Sequence, residues 1–458
     1  MPRVVVIGAG ISGLVAAMLL SSLGYDVVVL ESRDRVGGRL YSKMIQGTAV
    51  DLGGQFLSRR HTRVLHWVRK LGLHVQKVHR EPHLKDIVSI DNRVFKYDPL
   101  RNMGLPDFAS NHTATTDLEN AVRMLDSIAK ELPRQGWKSK YAQNLDYMST
   151  KELFEKVAKT KLARSFLTTF FQSLVCFEPV QISSLTFLEY LKSGGYFNVL
   201  HGIDGENGAQ SYFVKEGAQS ICTRISEILG SNIRLNEPVK QVKWSQNDGC
   251  VVKTDNGEYQ CDAVLVTTPP VLYESLFFDP YLPKEKMVIS ARTDLGLCIK
   301  TLTFYSDPFW RRIGLSGVID STGGPITESY DSSHGSIFML VGFICAMHAS
   351  KWMQCSKAER REAIIQQYAR TFRDESALHP LNYEECVWNG ERFSSGGYLG
   401  LPTISTYAHF GHAMYTSYPP IFFAGTELAK RNKGLMDGAI RSAEENVKNI
   451  TAYLERAK

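Results

Sequence analysis

The sequence predicts an α/β fold in which a Rossmann-like dinucleotide-binding domain is interleaved with an α+β substrate domain. Three observations carry that prediction. An apolar strand at residues 4–7 runs directly into Gly8-Ala9-Gly10-Ile11-Ser12-Gly13 and then into a helix. Strand-like segments return at 234–267 and again after residue 421. Between them lie a helical block at 149–194 and a β-rich block at 298–347, so the chain crosses between two units several times.

Each element has a local cause. Residues 4–7 and 27–30 are unbroken runs of Val, Ile and Leu, the pattern of parallel strands covered on both faces. A helix at 13–23 joins them and stops at Gly24. Within 60–76, Val64, Leu65, Val68 and Leu71 recur at helical spacing. Residues 80–136 are mixed and polar and specify no element. Ser149-Thr150-Lys151-Glu152 is a capping box that opens the helical block. Residues 201–208 carry three glycines among polar residues and read as a mobile surface loop, a plausible gate to a cavity. A helix at 219–229 follows, then strands at 234–235, 239–244, 250–254 and 263–267, ended by Pro269-Pro270. The apolar run at 337–347 fits a buried strand, 357–374 are helical, and 421–458 give a strand, a glycine turn and a closing amphipathic helix. The resulting division assigns 1–79, 210–292 and 389–458 to the nucleotide-binding domain. It assigns 80–209, largely helical, and 293–388, β-rich, to the substrate domain.

Composition narrows the function. A chain of 458 residues, 43% hydrophobic and 22% charged, can bury a large core, which excludes disordered and fibrous classes. Its net charge is only +6 and no dense basic run follows a phosphate backbone, so nucleic acid is not an expected partner. The eight cysteines are irregularly spaced without a Cys-x-x-Cys and read as buried free thiols. Met1-Pro2-Arg3 leads straight into the first strand, and no window approaches about 18 uninterrupted apolar residues. A soluble, cytoplasmic protein without a membrane anchor is the expectation. His409 and His412 have no accompanying carboxylate pattern, so no metal site is expected.

The glycine motif carries the first chemistry. In G-x-G-x-x-G after a strand, the first glycine turns the chain, the second lets a pyrophosphate approach, and the third lets helix pack on strand. The helix N-terminus offers free N–H groups and positive partial charge to the phosphates. Glu31 ends the second strand, where a carboxylate can accept both ribose hydroxyls and disfavours a 2′-phosphate. Arg33, Arg35, Gly37, Gly38 and Arg39 form E-x-R-x-R-x-G-G-R with Glu31, and Asp51-Leu52-Gly53-Gly54 follows. A nicotinamide enzyme needs no second glycine pair, whereas an isoalloxazine lying against bare backbone does. Phe422-Phe423-Ala424-Gly425-Thr426-Glu427 precedes Gly434-Leu435-Met436-Asp437-Gly438-Ala439, a second strand, turn and helix start suited to negative charge on a reduced flavin. FAD is the cofactor this order and spacing point to.

Over nearly its whole length the chain resembles the flavin monoamine oxidase family. The matching segments are 5–13, 29–39, 51–54, 213–217, Pro238-Val239, 264–270, 295–310, 388–398 and 423–439. The resemblance implies a glutathione-reductase-like FAD-binding domain noncontiguous with the substrate domain. It implies oxidation of an amine to an imine, with hydride equivalents passing to flavin N5, dioxygen reoxidising the flavin to give hydrogen peroxide, and water hydrolysing the imine. Lys300 matches the lysine that holds a water near N5, and Tyr398 matches one wall of the aromatic pair flanking the amine. The FAD contacts implied are Gly8, Gly10, Ile11, Ser12, Gly13, Glu31, Arg33, Gly38, Arg39, Gly53, Gly54, Gln55, Val239, Trp388, Gly425, Glu427, Leu435 and Met436. Phe56, Gln210, Tyr398 and Leu435 would line the substrate site.

Three positions separate this chain from relatives of that kind. The second cage wall falls on Leu435 instead of an aromatic residue. Gly397 stands where the membrane monoamine oxidases carry the flavin on a cysteine, so FAD is expected to be non-covalent. Phe56 stands where amino-acid oxidases of this fold place a carboxylate-clamping arginine, which favours amines without an α-carboxylate. An amino acid, alkaloid or polyamine oxidase, or an FAD-loaded binding protein with little turnover, remain alternatives. The expected partners are a small amine and dioxygen, with a homodimer left open.

Overall fold

The unbroken apolar runs become the centre of a parallel sheet. The computed structural model describes residues 1–109, 111–202, 205–245 and 249–456. Strand Arg3–Ile7 lies between Asp26–Leu30 and Ala263–Val266, with Ile233–Arg234 and Ile421–Phe423 at the edges, all parallel. Val4, Val5 and Val6 are fully buried, as strands covered on both faces require. Helix Ile11–Ser22 packs against Ser220–Leu229 and the closing helix Met436–Arg456. A four-stranded sheet, Glu258–Cys261, Gly249–Lys253, Gln241–Ser245 and Phe277–Asp279, completes this half.

The second half is a seven-stranded sheet in the order Asn382–Val387, Cys298–Tyr305, Phe338–Cys345, Glu328–Asp331, Leu315–Ser321, Lys85–Ile90 and Arg93–Tyr97. Helices His112–Glu131, Thr150–Val157, Lys161–Val175 and Ser184–Gly194 accompany it. The capping box forms as the sequence predicts: Ser149 accepts from the Glu152 N–H while the Glu152 side chain accepts from the Ser149 N–H. Strands 3–7, 26–30, 233–234, 263–266 and 421–423 thus share one sheet, and strands from 85–97 and 298–387 share the other. Among the described residues, no helix is long and apolar enough to cross a membrane.

Several boundaries shift for physical reasons. Residues 80–136, unreadable in the sequence, hold the hairpin Lys85–Ile90 with Arg93–Tyr97 and the 20-residue helix His112–Glu131. That helix buries Leu118, Ala121, Val122 and Leu125 on one stripe, and its remaining faces are polar enough to blur the period. The strand expected from 239 begins at Gln241, leaving Val239 in the approach to it. The strand expected at 234–235 is Ile233–Arg234. The expected surface loop at 201–208 is partly tucked in: Gly202 and Gly208 are buried, and His201 stacks on Phe197 with centroids 5.4 Å apart. Residues 203 and 204 of that loop lie outside the described residues. All eight cysteines are free thiols, seven of them buried.

Candidate active site

A cleft of about 500 Å³ runs from the end of strand Arg3–Ile7 to the face of the seven-stranded sheet. A Cβ on Gly13 would lie 2.0 Å from the Gly8 carbonyl oxygen, so only glycine lets the helix sit this close to the strand. The first turn of Ile11–Ser22 has no side-chain cap, which leaves N–H groups free at its positive end. Ser12 Oγ is buried in this turn without a protein partner. A Cβ built on Gly10 would meet nothing within 4 Å, so the backbone there borders open space. These are the features an anionic diphosphate uses.

Glu31 is oriented by backbone: its carboxylate accepts from the N–H of Ala9 at 2.7 Å and of Arg33 at 3.0 Å. Arg35 donates to the carbonyls of Gly38 and Leu40 and so shapes the loop instead of facing the cleft. Arg39 donates to both Glu427 carboxylate oxygens, at 2.6 and 3.1 Å, and to the Tyr398 carbonyl at 2.7 Å. Burial alone would raise the Glu427 carboxyl, but the Arg39 charge and the Gly400 N–H hold it below its ordinary value. The pair therefore ties the glycine loop to both later chain segments.

At the other end of the cleft, Lys300 Nζ donates to the Gly53 carbonyl at 2.9 Å and to Gln55 Oε1 at 2.8 Å. Burial lowers its pKa to about 8, partly opposed by the Asp51 carboxylate. Gln55 is fixed in turn by donating to Ser332 Oγ at 2.6 Å, and Trp388 by donating to the Leu52 carbonyl at 3.0 Å. A Cβ on Gly53 would lie 2.3 Å from the Arg39 carbonyl oxygen, so the second glycine pair is required for this close approach. Around Lys300 the rings meet edge to face: Phe56 with Tyr330 at 5.4 Å, Tyr330 with Phe343 at 6.5 Å, and Phe343 with Tyr398 at 5.9 Å. One carboxyl, Glu328, also lines the cleft, and the Tyr330 hydroxyl donates to it at 2.5 Å. Burial raises the Glu328 pKa well above normal, and nearby Asp320 adds to the shift.

The family model described as flavin containing amine oxidoreductase matches residues 11–451. Amine oxidase [flavin-containing] A of Canis lupus familiaris is 34% identical over 99% of this chain and 85% of its own length. The chain belongs to the flavin-containing amine oxidoreductase family. Amine oxidase [flavin-containing] B of Rattus norvegicus is likewise 34% identical, over 98% of this chain and 85% of its own. Putrescine oxidase, solved bound to putrescine, superimposes with a TM-score of 0.91 at 28% identity, covering 98% of this chain and 99% of that one. Cyclohexylamine oxidase from Brevibacterium oxydans shares the fold, with a TM-score of 0.92 at 24% identity over 99% of both chains.

As a member of this family the protein is an FAD-dependent amine oxidase. The residues present fit that cofactor: the unpartnered Ser12 hydroxyl, the uncapped helix start and the bare backbone at Gly10 form a cradle at one end of the cleft. All the residues expected to touch cofactor or substrate line this one cleft except Gly13 and Glu427. Gly13 packs the helix on the Gly8 carbonyl, and Glu427 accepts from Arg39 and from the Gly400 N–H. Tyr398 and Leu435 both face the cleft, and the ring in contact with Tyr398 is Phe343, at 87° to it. The sequence reading missed Phe343, Tyr330 and Glu328. Their one signal was the alternation of side chains along strands 328–331 and 338–345.

Proposed function

We propose that this amine oxidase acts on small amines lacking an α-carboxylate, holds FAD without a covalent bond, and passes electrons to dioxygen with release of hydrogen peroxide. The observation that carries the reading is the buried Lys300 ammonium, fixed by Gly53 and Gln55 inside a wall of four aromatic rings. FAD, when bound, supplies the two-electron acceptor. The protein's own residues do the rest. Gly8 to Ser12, Glu31, Arg33, Val239 and Gly425 hold the dinucleotide; Gly53, Gly54, Gln55, Trp388, Leu435 and Met436 border its reacting ring system. Tyr398, Phe343 and Phe56 orient a neutral amine and exclude water, since aromatic faces accept its N–H and apolar edges reject ions without a partner. Lys300 holds a proton and positive charge where oxygen is to be reduced, and its depressed pKa lets it give that proton up near neutrality.

No arginine clamp serves a substrate carboxylate from the segment after Gly54. Arg59 is exposed and pairs with Glu206 at 2.5 Å, and Phe56 occupies the cleft wall. The cleft takes lining residues from 1–79, 210–292 and 389–458 and also from 80–209 and 293–388, which supports a division into those two domains with the site at their junction. Glu328 favours one second reading: a diamine, whose remote ammonium would recover the charged form of that buried carboxyl. Anaerobic mixing of the FAD-loaded protein with monoamines, diamines and amino acids tests both. Bleaching of the flavin band by amines but not amino acids is the expected result, and bleaching by amino acids alone would overturn the reading.

A further inference from the structure

Three buried thiols meet beside the Tyr398 hydroxyl, and neither the cofactor nor the amine chemistry accounts for them. The Sγ atoms of Cys176, Cys298 and Cys345 lie within 4.8 Å of one another. Cys176 and Cys345 are 3.6 Å apart. They come from three chain segments. Cys298 opens strand Cys298–Tyr305, Cys345 closes strand Phe338–Cys345, and the two are directly paired across the sheet. Cys176 caps the helix Lys161–Val175 with a left-handed φ of 64°, which turns the chain end toward the pair. Cys298 also lines the cleft, so a small ion has a route to the cluster.

We propose that Cys176, Cys298 and Cys345 form a trigonal site for a soft d¹⁰ cation, with Cu(I) the best fit, next to the amine-binding wall. The geometry suits it: at a metal–sulfur distance of about 2.3 Å, a trigonal plane has sulfur–sulfur edges of about 4 Å. Thiolates select soft ions over the hard cations that dominate in water, and the cluster offers neither the carboxylate nor the imidazole that broader sites use. On binding, two thiols release their protons to solvent while the third sulfur coordinates as the neutral thiol. The complex then carries one net negative charge. Lys300, two residues beyond Cys298 on the same face of one strand, supplies a compensating positive charge. Because Cys345 Sγ sits 3.8 Å from the Tyr398 hydroxyl, an occupied site alters the wall against which the amine rests, and turnover falls.

The test uses the FAD-loaded protein, reduced and kept anaerobic, titrated with Cu(I) against the chromogenic chelator bathocuproine disulfonate. Wild type should take up one more equivalent than Cys176→Ala, a variant whose lost side chain does not line the cleft and which should retain bound flavin and turnover. That equivalent should slow anaerobic bleaching of the flavin by amine at least about fivefold in wild type and leave Cys176→Ala unaffected. X-ray absorption on the wild-type complex gives a readout that needs no variant: three sulfur neighbours at one distance support the trigonal site. Equal uptake by both proteins, or two sulfur neighbours in a linear arrangement, overturns it.

Discussion

Lys300 crosses from the seven-stranded sheet to donate to the carbonyl of Gly53, 2.9 Å away on the chain segment that follows the nucleotide cradle. A buried ammonium thereby couples the two halves of the fold at their shared cleft. The contact needs a strand residue facing inward, a glycine with its carbonyl exposed to the cleft, and Gln55 as a second acceptor. The first is set by strand Cys298–Tyr305, and the other two by the single segment that holds Gly53 and Gln55.

Replacing Lys300 by Met removes the charge and leaves the Gly53 carbonyl and Gln55 Oε1 without a donor. Reoxidation of the reduced enzyme by dioxygen should slow by about 100-fold, the usual scale for a positioned proton and charge, while reduction by amine changes far less. Stopped-flow measurement of the two half-reactions separates them.

The pH dependence follows from the same residue. The wild-type oxidative half-reaction should fall as pH rises through about 8, where Lys300 loses its proton, and the Lys300→Met profile should be flat there. The reductive half-reaction should instead rise with pH as the amine becomes neutral. Stability moves oppositely to oxidation: a pKa depressed by folding means that this group's contribution is lost as pH falls through about 8. A thermal-unfolding series between pH 7 and 10 should show stability rising more steeply with pH in wild type than in Lys300→Met, since the buried Lys286, lowered to about 7, contributes to both.

Glu328→Gln keeps the shape and the Tyr330 contact but cannot ionise. If the cleft takes diamines, kcat/KM for a diamine should drop by about 30-fold or more, matching the roughly 2 kcal/mol or more of a charge-assisted hydrogen bond. A monoamine of equal length should change by less than about threefold. Equal losses for both would show that Glu328 only supports the wall.

The Rossmann half was legible because its signals are local: glycine spacing, an unbroken Val run and Glu31 all sit within 3–31. The cleft's far wall was not. Glu328, Tyr330 and Phe343 reach it through the register of antiparallel strands, and a register cannot be read from one strand alone. Lys300 and Tyr398 were found only through resemblance, since an isolated Lys in an apolar strand ordinarily faces solvent. Glu427, read from its segment as a cofactor contact, is held by Arg39. Its partner Arg39 lies 388 residues away in sequence, and no pattern within either segment reveals the pairing.

Glu427→Gln should therefore act through Arg39. The half-buried guanidinium loses its counter-charge while keeping the Tyr398 carbonyl, and losing one charged partner of such a hydrogen bond costs about 1–3 kcal/mol. The expected outcome is a lower melting temperature and weaker FAD retention on gel filtration, with Arg39→Gln in the same protein restoring part of the stability. A single variant as stable as wild type would mean the pair contributes nothing net.

Gly397→Cys tests why FAD is expected to dissociate from this protein. A Cβ on Gly397 would make only ordinary contacts, 3.8 Å from the Cβ of Cys298 and 3.9 Å from that of Trp388, so the position admits a side chain without rearrangement. The backbone there has no positive φ, so no left-handed conformation restricts the position to glycine. Gly397 lines the cleft directly before Tyr398, where relatives that bind flavin as a thioether carry their cysteine. Acid precipitation of wild type should leave the yellow colour in the supernatant, and precipitation of Gly397→Cys expressed with FAD should carry a fraction of it into the pellet. A mass shift equal to one FAD on the tryptic peptide containing residue 397 distinguishes a thioether from trapped cofactor. If wild type already retains its colour in the pellet, the flavin is anchored at another residue and the reasoning from Gly397 fails.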